Sequence, residues 1–286
     1  MNDSCNGKCL LERDGRKIIS CDKCGYNHVV PMYTEEELEK FYENVYPEST
    51  PSFLWYEKVE NINRLKKVGK VLDIGCWEGQ QLEHFRKTGW ECVGIELNKK
   101  AADIAMSKGM EVYQISIREF FRQFADAKWD VINVAYVLEH IPKPIDFLIK
   151  LRSNLEIDGI IIVEVPNDFS PFQLAYIAEH KIEPYWIALP DHLNYFDRQG
   201  IENLVKRAGF SIIHGETSFP MEMFLLMGDN YLQDKSLGKA SFQKVVAMEK
   251  ILRNYRSRLV SDLYTSLYTC GIGRSNILYI KASDNK

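Results

Sequence analysis

No stretch of this 286-residue chain approaches the ~20 consecutive apolar residues that cross a bilayer, and the opening MNDSCNGKCLLERDGRK has no apolar leader core. These absences argue against a membrane-embedded or secreted protein, and the expectation is a soluble, cytoplasmic one. Positive charge is not in excess either: 36 Lys and Arg stand against 40 Asp and Glu, a formal net charge of −4. A nucleic-acid binder needs a basic surface to displace counterions, so that partner is not expected and a small molecule is. There is no internal repeat or low-complexity segment, and a hydrophobic content of 45% is enough for a full core.

Cysteine, by contrast, is crowded: four of the seven fall in the first 24 residues. A reducing compartment keeps thiols free, so a disulfide framework is not expected. Cys21-Asp22-Lys23-Cys24-Gly25 has the C-x-x-C-G form of a zinc knuckle, and Cys5-x-x-x-Cys9 is one residue looser. The expectation is a structural Zn2+ held by Cys5, Cys9, Cys21 and Cys24, with no open position for chemistry. The alternative is four unrelated reduced thiols. Cys76, Cys92 and Cys270 read as small buried hydrophobes.

Residues 1–33 are thus expected to form a zinc-binding module, and 34–69 a helical lead-in or lid. In TEEELEKFYENVY a capping box from Thr34 to Glu37 precedes Leu38, Phe41, Tyr42 and Val45 at helical spacing, and PESTPS reads as a loop. From Lys70 onward β-rich apolar runs alternate with amphipathic stretches: KVLDI, ECVGIE, EVYQI, WDVINVA and GIIIVEV are separated by helices near residues 80–87, 99–108, 117–124 and 145–155. That rhythm specifies an α/β fold with a parallel sheet covered on both faces. An aromatic- and proline-rich insertion over about 168–197 interrupts it. A helix over 198–208 and the strand FSIIHGE follow, then a long helical stretch over about 239–267, inside a helical insertion of about 220–270, and the strand NILYIKA.

VLDIGCWEGQ stands where an open α/β sheet binds its ligand, beyond the end of the first strand. Gly75 and Gly79 remove side chains where the backbone turns and a ligand approaches. The spacing G-x-x-x-G, with Trp77 between, is not the G-x-G-x-x-G of a pyrophosphate loop, and Asp73 would repel a pyrophosphate while suiting a cationic ligand. Glu96, at the next strand end, lies 23 positions on, where a carboxylate accepts the hydroxyls of a ribose. Adenosine joined to a sulfonium and an ammonium describes S-adenosylmethionine.

At these residues the chain resembles the class I S-adenosylmethionine-dependent methyltransferases. VLDIGCWEGQ looks like their first motif, with Asp73, Gly75, Cys76 and Gly79 on the cofactor. VGIELN is similar to the ribose-binding strand end and implies Glu96 on the ribose and Leu97 beside the adenine. SIREF implies Ser116 and Ile117 along the adenine, and VAYVLEHIPKP implies Tyr136, Glu139 and His140 at the fourth strand. The resemblance spans about Lys70 to Phe219 and implies a Rossmann-like, doubly wound, seven-stranded sheet with its last strand antiparallel. Asp73 keeps a second reading, as a strand terminator that ties the loop's amides. His140 is read equally as a cap or packing residue and as a substrate contact.

On the acceptor side, methyl transfer needs a positioned nucleophile and, for a hydroxyl, a base, a role that histidine fits near neutral pH. His192 in LPDHLNYFD is the candidate, with Asp191 beside it and Tyr195 three residues on. Its alternative is a buried histidine bonded to a backbone carbonyl. This segment resembles the acidic-His-x-x-Tyr-Phe stretch of sugar methyltransferases that carry an N-terminal zinc module. In their C-methylating members a tyrosine stands three residues before the histidine. Leu189 occupies that place here, which favours O-methylation. Asn167 and Asp168 either hold substrate hydroxyls or form a turn, and Glu222 either faces substrate or packs. The expected function is O-methylation of a sugar or nucleotide-linked sugar. The alternatives are C- or N-methylation of another metabolite, a nicotinamide dehydrogenase, or a non-catalytic scaffold that uses the zinc module.

Overall fold

A computed structural model describes residues 5–34, 36–38 and 54–283. Thr34 and Glu37 form the expected capping box, the Thr34 amide donating to Glu37 Oε2 at 2.7 Å and the Glu37 amide to Thr34 Oγ1 at 3.2 Å. The expected contributions of Phe41, Tyr42 and Val45, and the PESTPS loop, lie outside the described residues. A helix follows at Leu54–Leu65. None of the helices among the described residues is long and apolar enough to cross a membrane.

The main sheet has seven strands: β4 (Lys70–Ile74), β5 (Glu91–Ile95), β6 (Glu111–Tyr113), β7 (Trp129–Ala135), β8 (Leu155–Pro166), β10 (Phe210–Thr217) and β11 (Ser275–Ala282). Their order is β10-β11-β8-β7-β4-β5-β6, and β11 runs antiparallel to both neighbours. The α/β fold with an antiparallel last strand is as expected. Side chains alternate across the sheet with period two. Leu72, Ile74, Ile132, Val134, Ile161 and Val163 enter one core. Val71, Val131, Ile160 and Ile162 enter the other, together with Val59, Phe85, Val260 and Tyr264 from helices. Each fully buried side chain of this size contributes about 1.5–3 kcal/mol, which is why the strands read as continuous apolar runs.

Three departures from expectation matter for the site. Residues 7–30 form strands, β1 (Gly7–Arg13), β2 (Arg16–Cys21) and β3 (Asn27–Val30), and the two-residue strand β9 (Asn194–Tyr195) from the insertion completes their sheet. Asp14-Gly15, both at positive φ, is the hairpin signal for the first turn. The long helical stretch is two helices, Lys235–Tyr255 and Leu259–Thr269, divided at Arg256 in extended backbone. Cys270, expected to be buried, is exposed at the end of the second.

Candidate active site

The parallel strands β4, β5, β7 and β8 end on one edge of the sheet, where such folds hold ligands. The loop after β4 turns through three left-handed residues, Gly75 (φ 71), Trp77 (φ 50) and Gly79 (φ 77). A Cβ at Gly75 would come 3.0 Å from Val137, and one at Gly79 would come 3.1 Å from Ala105 and 3.3 Å from Met110. Gly79 therefore serves helix packing as much as ligand access. Trp77 is held by its own amide, which donates to Glu96 Oε2 at 2.9 Å.

Glu96 is buried, and its Oε1 accepts the Asn98 amide at 2.7 Å. The Leu97 amide also acts on the carboxylate, which keeps lone-pair capacity for a ribose hydroxyl. Leu97 is 61% exposed beside it, open to a flat ring. Asp73 is buried and ties to the neighbouring strand and not to the loop's amides: Asn133 Nδ2 donates to Asp73 Oδ1 at 2.6 Å. Burial raises the Asp73 carboxyl to about 6 against the Asn133 hydrogen bond and the Lys58 charge. Two cofactor candidates also have structural partners. Cys76 packs into a core with Leu82, Ala102 and Ala105, because Gly94 on β5 leaves room for its sulfur on that side. Ser116 caps Ile117–Gln123, its amide and its hydroxyl both donating to Glu119 Oε2 at 2.9 Å. Ile117 packs partly buried against the main core.

Past β7 and β8 the same edge opens into a cleft of about 320 Å³. Tyr136, Glu139 and His140 line it from the turn after β7, Pro166 and Asp168 from the end of β8, and Gln173 from helix Pro171–His180. Trp186, Asp191 and His192 come from the insertion and Arg274 from the turn before β11. Tyr136 adopts φ 55, costly for an aromatic residue, and its hydroxyl donates to Glu164 Oε1 at 3.0 Å. The turn is stitched to the insertion: the Leu193 amide donates to the Glu139 carbonyl at 2.7 Å, and Asn194 Nδ2 donates to the carbonyls of Leu138 at 3.0 Å and Ile141 at 2.8 Å.

His140 and His192 meet edge to face, with ring centroids 5.1 Å apart. His140 Nδ1 lies 2.8 Å from the Asp191 carbonyl and 3.2 Å from its carboxylate. Burial disfavours its charge, but Asp191 and Glu139 prevail and raise it to about 9. Burial first, and the His140 charge second, lower His192 to about 4, so its ring is neutral at pH 7. Burial raises Glu139 to about 7 and Asp168 well above the ordinary carboxyl range.

Three acceptor-side candidates stand outside the cleft lining. Tyr195 is fully buried in β9 and packs with Ile18, Val29 and Ile187, so it joins the N-terminal sheet to the insertion and lies outside the cleft lining. Asn167 is a structural knot: its Nδ2 donates to the carbonyls of Gly271 at 3.1 Å and Gly273 at 3.0 Å, and Asn276 donates to its Oδ1. Glu222 stands behind the cleft wall and holds Arg274, whose Nη1 lies 2.8 Å away. Arg274, Trp186 and Gln173 belong to no motif in the sequence, and only the fold brings them to the cleft.

In the N-terminal sheet, donor atoms of Cys5, Cys21, Cys24 and His28 lie within 4.8 Å of one another. Cys9 is not among them. The strand from Gly7 carries it roughly 7 Å onward, and its exposed thiol donates to the Leu11 carbonyl. His28 takes the fourth place: Nδ1 is fixed on the Val29 carbonyl at 3.0 Å, while the buried Nε2 has no hydrogen-bond partner. The signal for it was Cys24-x-x-x-His28. Three thiols and an imidazole so oriented fit a tetrahedral zinc ion.

The family model described as "methyltransferase domain" matches residues 52–215, more than half of the chain. A ubiquinone biosynthesis O-methyltransferase of Azoarcus sp. (strain BH72) is 25% identical over 151 residues, covering 50% of this chain and 65% of that protein. One from Pasteurella multocida (strain Pm70) is 31% identical over 112 residues, covering 34% of this chain and 46% of its own length. The chain thus spans about half to two thirds of these curated relatives. Among solved structures, a SAM-dependent methyltransferase from Archaeoglobus fulgidus aligns with a TM-score of 0.49 at 19% identity, covering 79% of this chain and 94% of that one.

Proposed function

The chain belongs to the methyltransferase-domain family, and from that premise we propose that it transfers the methyl group of S-adenosylmethionine to a hydroxyl of a small polar acceptor, a sugar or nucleotide-linked sugar. The observation that carries this reading is the pairing, on one sheet edge, of the Gly75–Gly79 loop and Glu96 with a cleft whose His192 is neutral. Trp186 and Tyr136 bring aromatic rings to the cleft wall for such an acceptor, and Gln173 and Asp168 bring polar groups. The curated relatives are named O-methyltransferases, which supports oxygen as the acceptor atom.

Bound S-adenosylmethionine supplies a methyl carbon activated by its sulfonium. Glu96 takes the ribose hydroxyls, Leu97 and Ile117 flank the adenine, and the Asp73 carboxylate lends negative potential to the ammonium end. Wedged between the sheet edge and the insertion, the cleft holds the acceptor oxygen in line and excludes water. His192 takes the hydroxyl proton. A base held near 4 suffices, because that proton becomes strongly acidic as the oxygen–carbon bond forms. We further assign a structural Zn2+ to Cys5, Cys21, Cys24 and His28.

Incubation of the protein with methyl-labelled S-adenosylmethionine and a panel of free and nucleotide-linked sugars, read by mass spectrometry, tests the reading. Label on a sugar oxygen is the expected result. Label on carbon or nitrogen, or label confined to acceptors that are not sugars, would replace the substrate class.

A further inference from the structure

The cleft buries more unpartnered donor atoms than a hydroxyl-binding site requires. Glu139 is 1% exposed, and neither of its carboxylate oxygens has a hydrogen-bond partner. A buried oxygen left so bears the cost of its lost hydration, more when charged, and calls for a ligand or an ion. His192 Nδ1 is likewise buried without a partner. Beside them His140 turns Nε2 to within 4.0 Å of Glu139 Oε1 while Asp191 engages its Nδ1. One donor atom from each of Glu139, His140 and His192 lies within 4.8 Å of the others.

We propose that Glu139, His140 and His192 form a second metal site, one that takes a divalent first-row transition cation and leaves open positions toward the cleft. Two imidazoles and one carboxylate on one side of an ion, with free positions opposite, suit Fe2+, Mn2+ or Zn2+. The carboxylate of Asp191 behind His140 is the outer partner that metal-bound histidines usually have and holds the ring by Nδ1; an ion arriving at Nε2 displaces the proton that Glu139 and Asp191 favour there. The backbone bonds that stitch the 138–140 turn to residues 193–194 bring the donors together from segments some fifty positions apart, so the site exists only when the insertion is docked. All three donors line the cleft, and an acceptor oxygen there can complete the coordination.

The site stands on its own geometry, whereas its use in catalysis rests on the methyl-transfer reading. A coordinated hydroxyl loses its proton more readily, and the ion then takes over the activation assigned to the free His192 ring.

The test is titration of the full chain with Mn2+, following the loss of the free-ion electron paramagnetic resonance signal. Mn2+ disfavours thiolates and so reports little from the cysteine cluster. The expected result is one ion per chain, with affinity reduced about tenfold or more in Glu139→Gln and in His192→Ala, about tenfold in Asp191→Asn, and unchanged in Cys9→Ser. Thermal unfolding of each variant checks its fold. Absence of Mn2+ binding in the parent chain, or equal binding by folded Glu139→Gln and His192→Ala, overturns the site. Stabilisation by S-adenosylhomocysteine is measured on the same samples. If it occurs without Mn2+ binding, the cation site falls and the methyltransferase reading stands; Mn2+ binding without it gives the reverse.

Discussion

The N-terminal sheet and the carboxyl edge of the main sheet both bury donor atoms that lack partners, but they do so in opposite chemical settings. In the first, three thiols and His28 close around one point, and soft donors in a closed shell specify structure. In the second, Glu139, His140 and His192 stand on the wall of an open cleft, with Asp168 also buried and one oxygen unpartnered. Harder donors with open positions specify chemistry. Buried polarity therefore does not identify function by itself; whether the shell closes does.

The largest effect expected is on the closed side. Cys24→Ser or His28→Ala should abolish zinc content and melt the N-terminal sheet, since structural zinc contributes on the order of 10 kcal/mol in small modules. Cys9→Ser should keep one zinc per chain and parental stability. Elemental analysis with circular dichroism reads both, and zinc loss in Cys9→Ser would erase the distinction drawn between Cys9 and His28.

On the open side, His192→Ala should lower kcat by about 10²–10⁴ while thermal stability and S-adenosylhomocysteine affinity stay near parental values. A fall in stability equal to that of the zinc variants would make His192 structural and remove the contrast. Glu96→Ala should weaken S-adenosylhomocysteine about tenfold or more, measured by calorimetry, because the lost hydroxyl contacts are charge-assisted.

The smallest effect concerns Asp73. Its folded pKa, about 6, lies above the ordinary value of 3.8. Burial of the carboxylate thus costs stability above pH 6, and the cost fades as pH falls toward 4. Asp73→Asn should therefore be more stable than the parent chain by ~1–3 kcal/mol at pH 7.5 and equal to it near pH 4, in denaturant titrations. A difference independent of pH would show that the buried charge carries no cost.

The main sheet was legible because its strands are short apolar runs whose burial is two-sided; KVLDI and WDVINVA match β4 and β7 residue for residue. Glu96 was legible because fold geometry fixes the interval between the first two strand ends. The N-terminal strands were not, because β3 is completed by a pairing between Asn27 and Tyr195, distant in sequence. The same pairing seats Tyr195 in the N-terminal core, outside the cleft lining. Nor does any local pattern announce Arg274, which owes its place to Glu222 across 52 positions. Trp77 changes meaning most: its bulk at a loop centre argued against a pyrophosphate, and its amide is among those that hold Glu96 in place.

The central claim is the cofactor, and differential thermal unfolding with S-adenosylhomocysteine or NAD tests it most directly. At a hundredfold excess over Kd, S-adenosylhomocysteine should stabilise the fold by about 2.7 kcal/mol and NAD not at all. Stabilisation by NAD alone would contradict it.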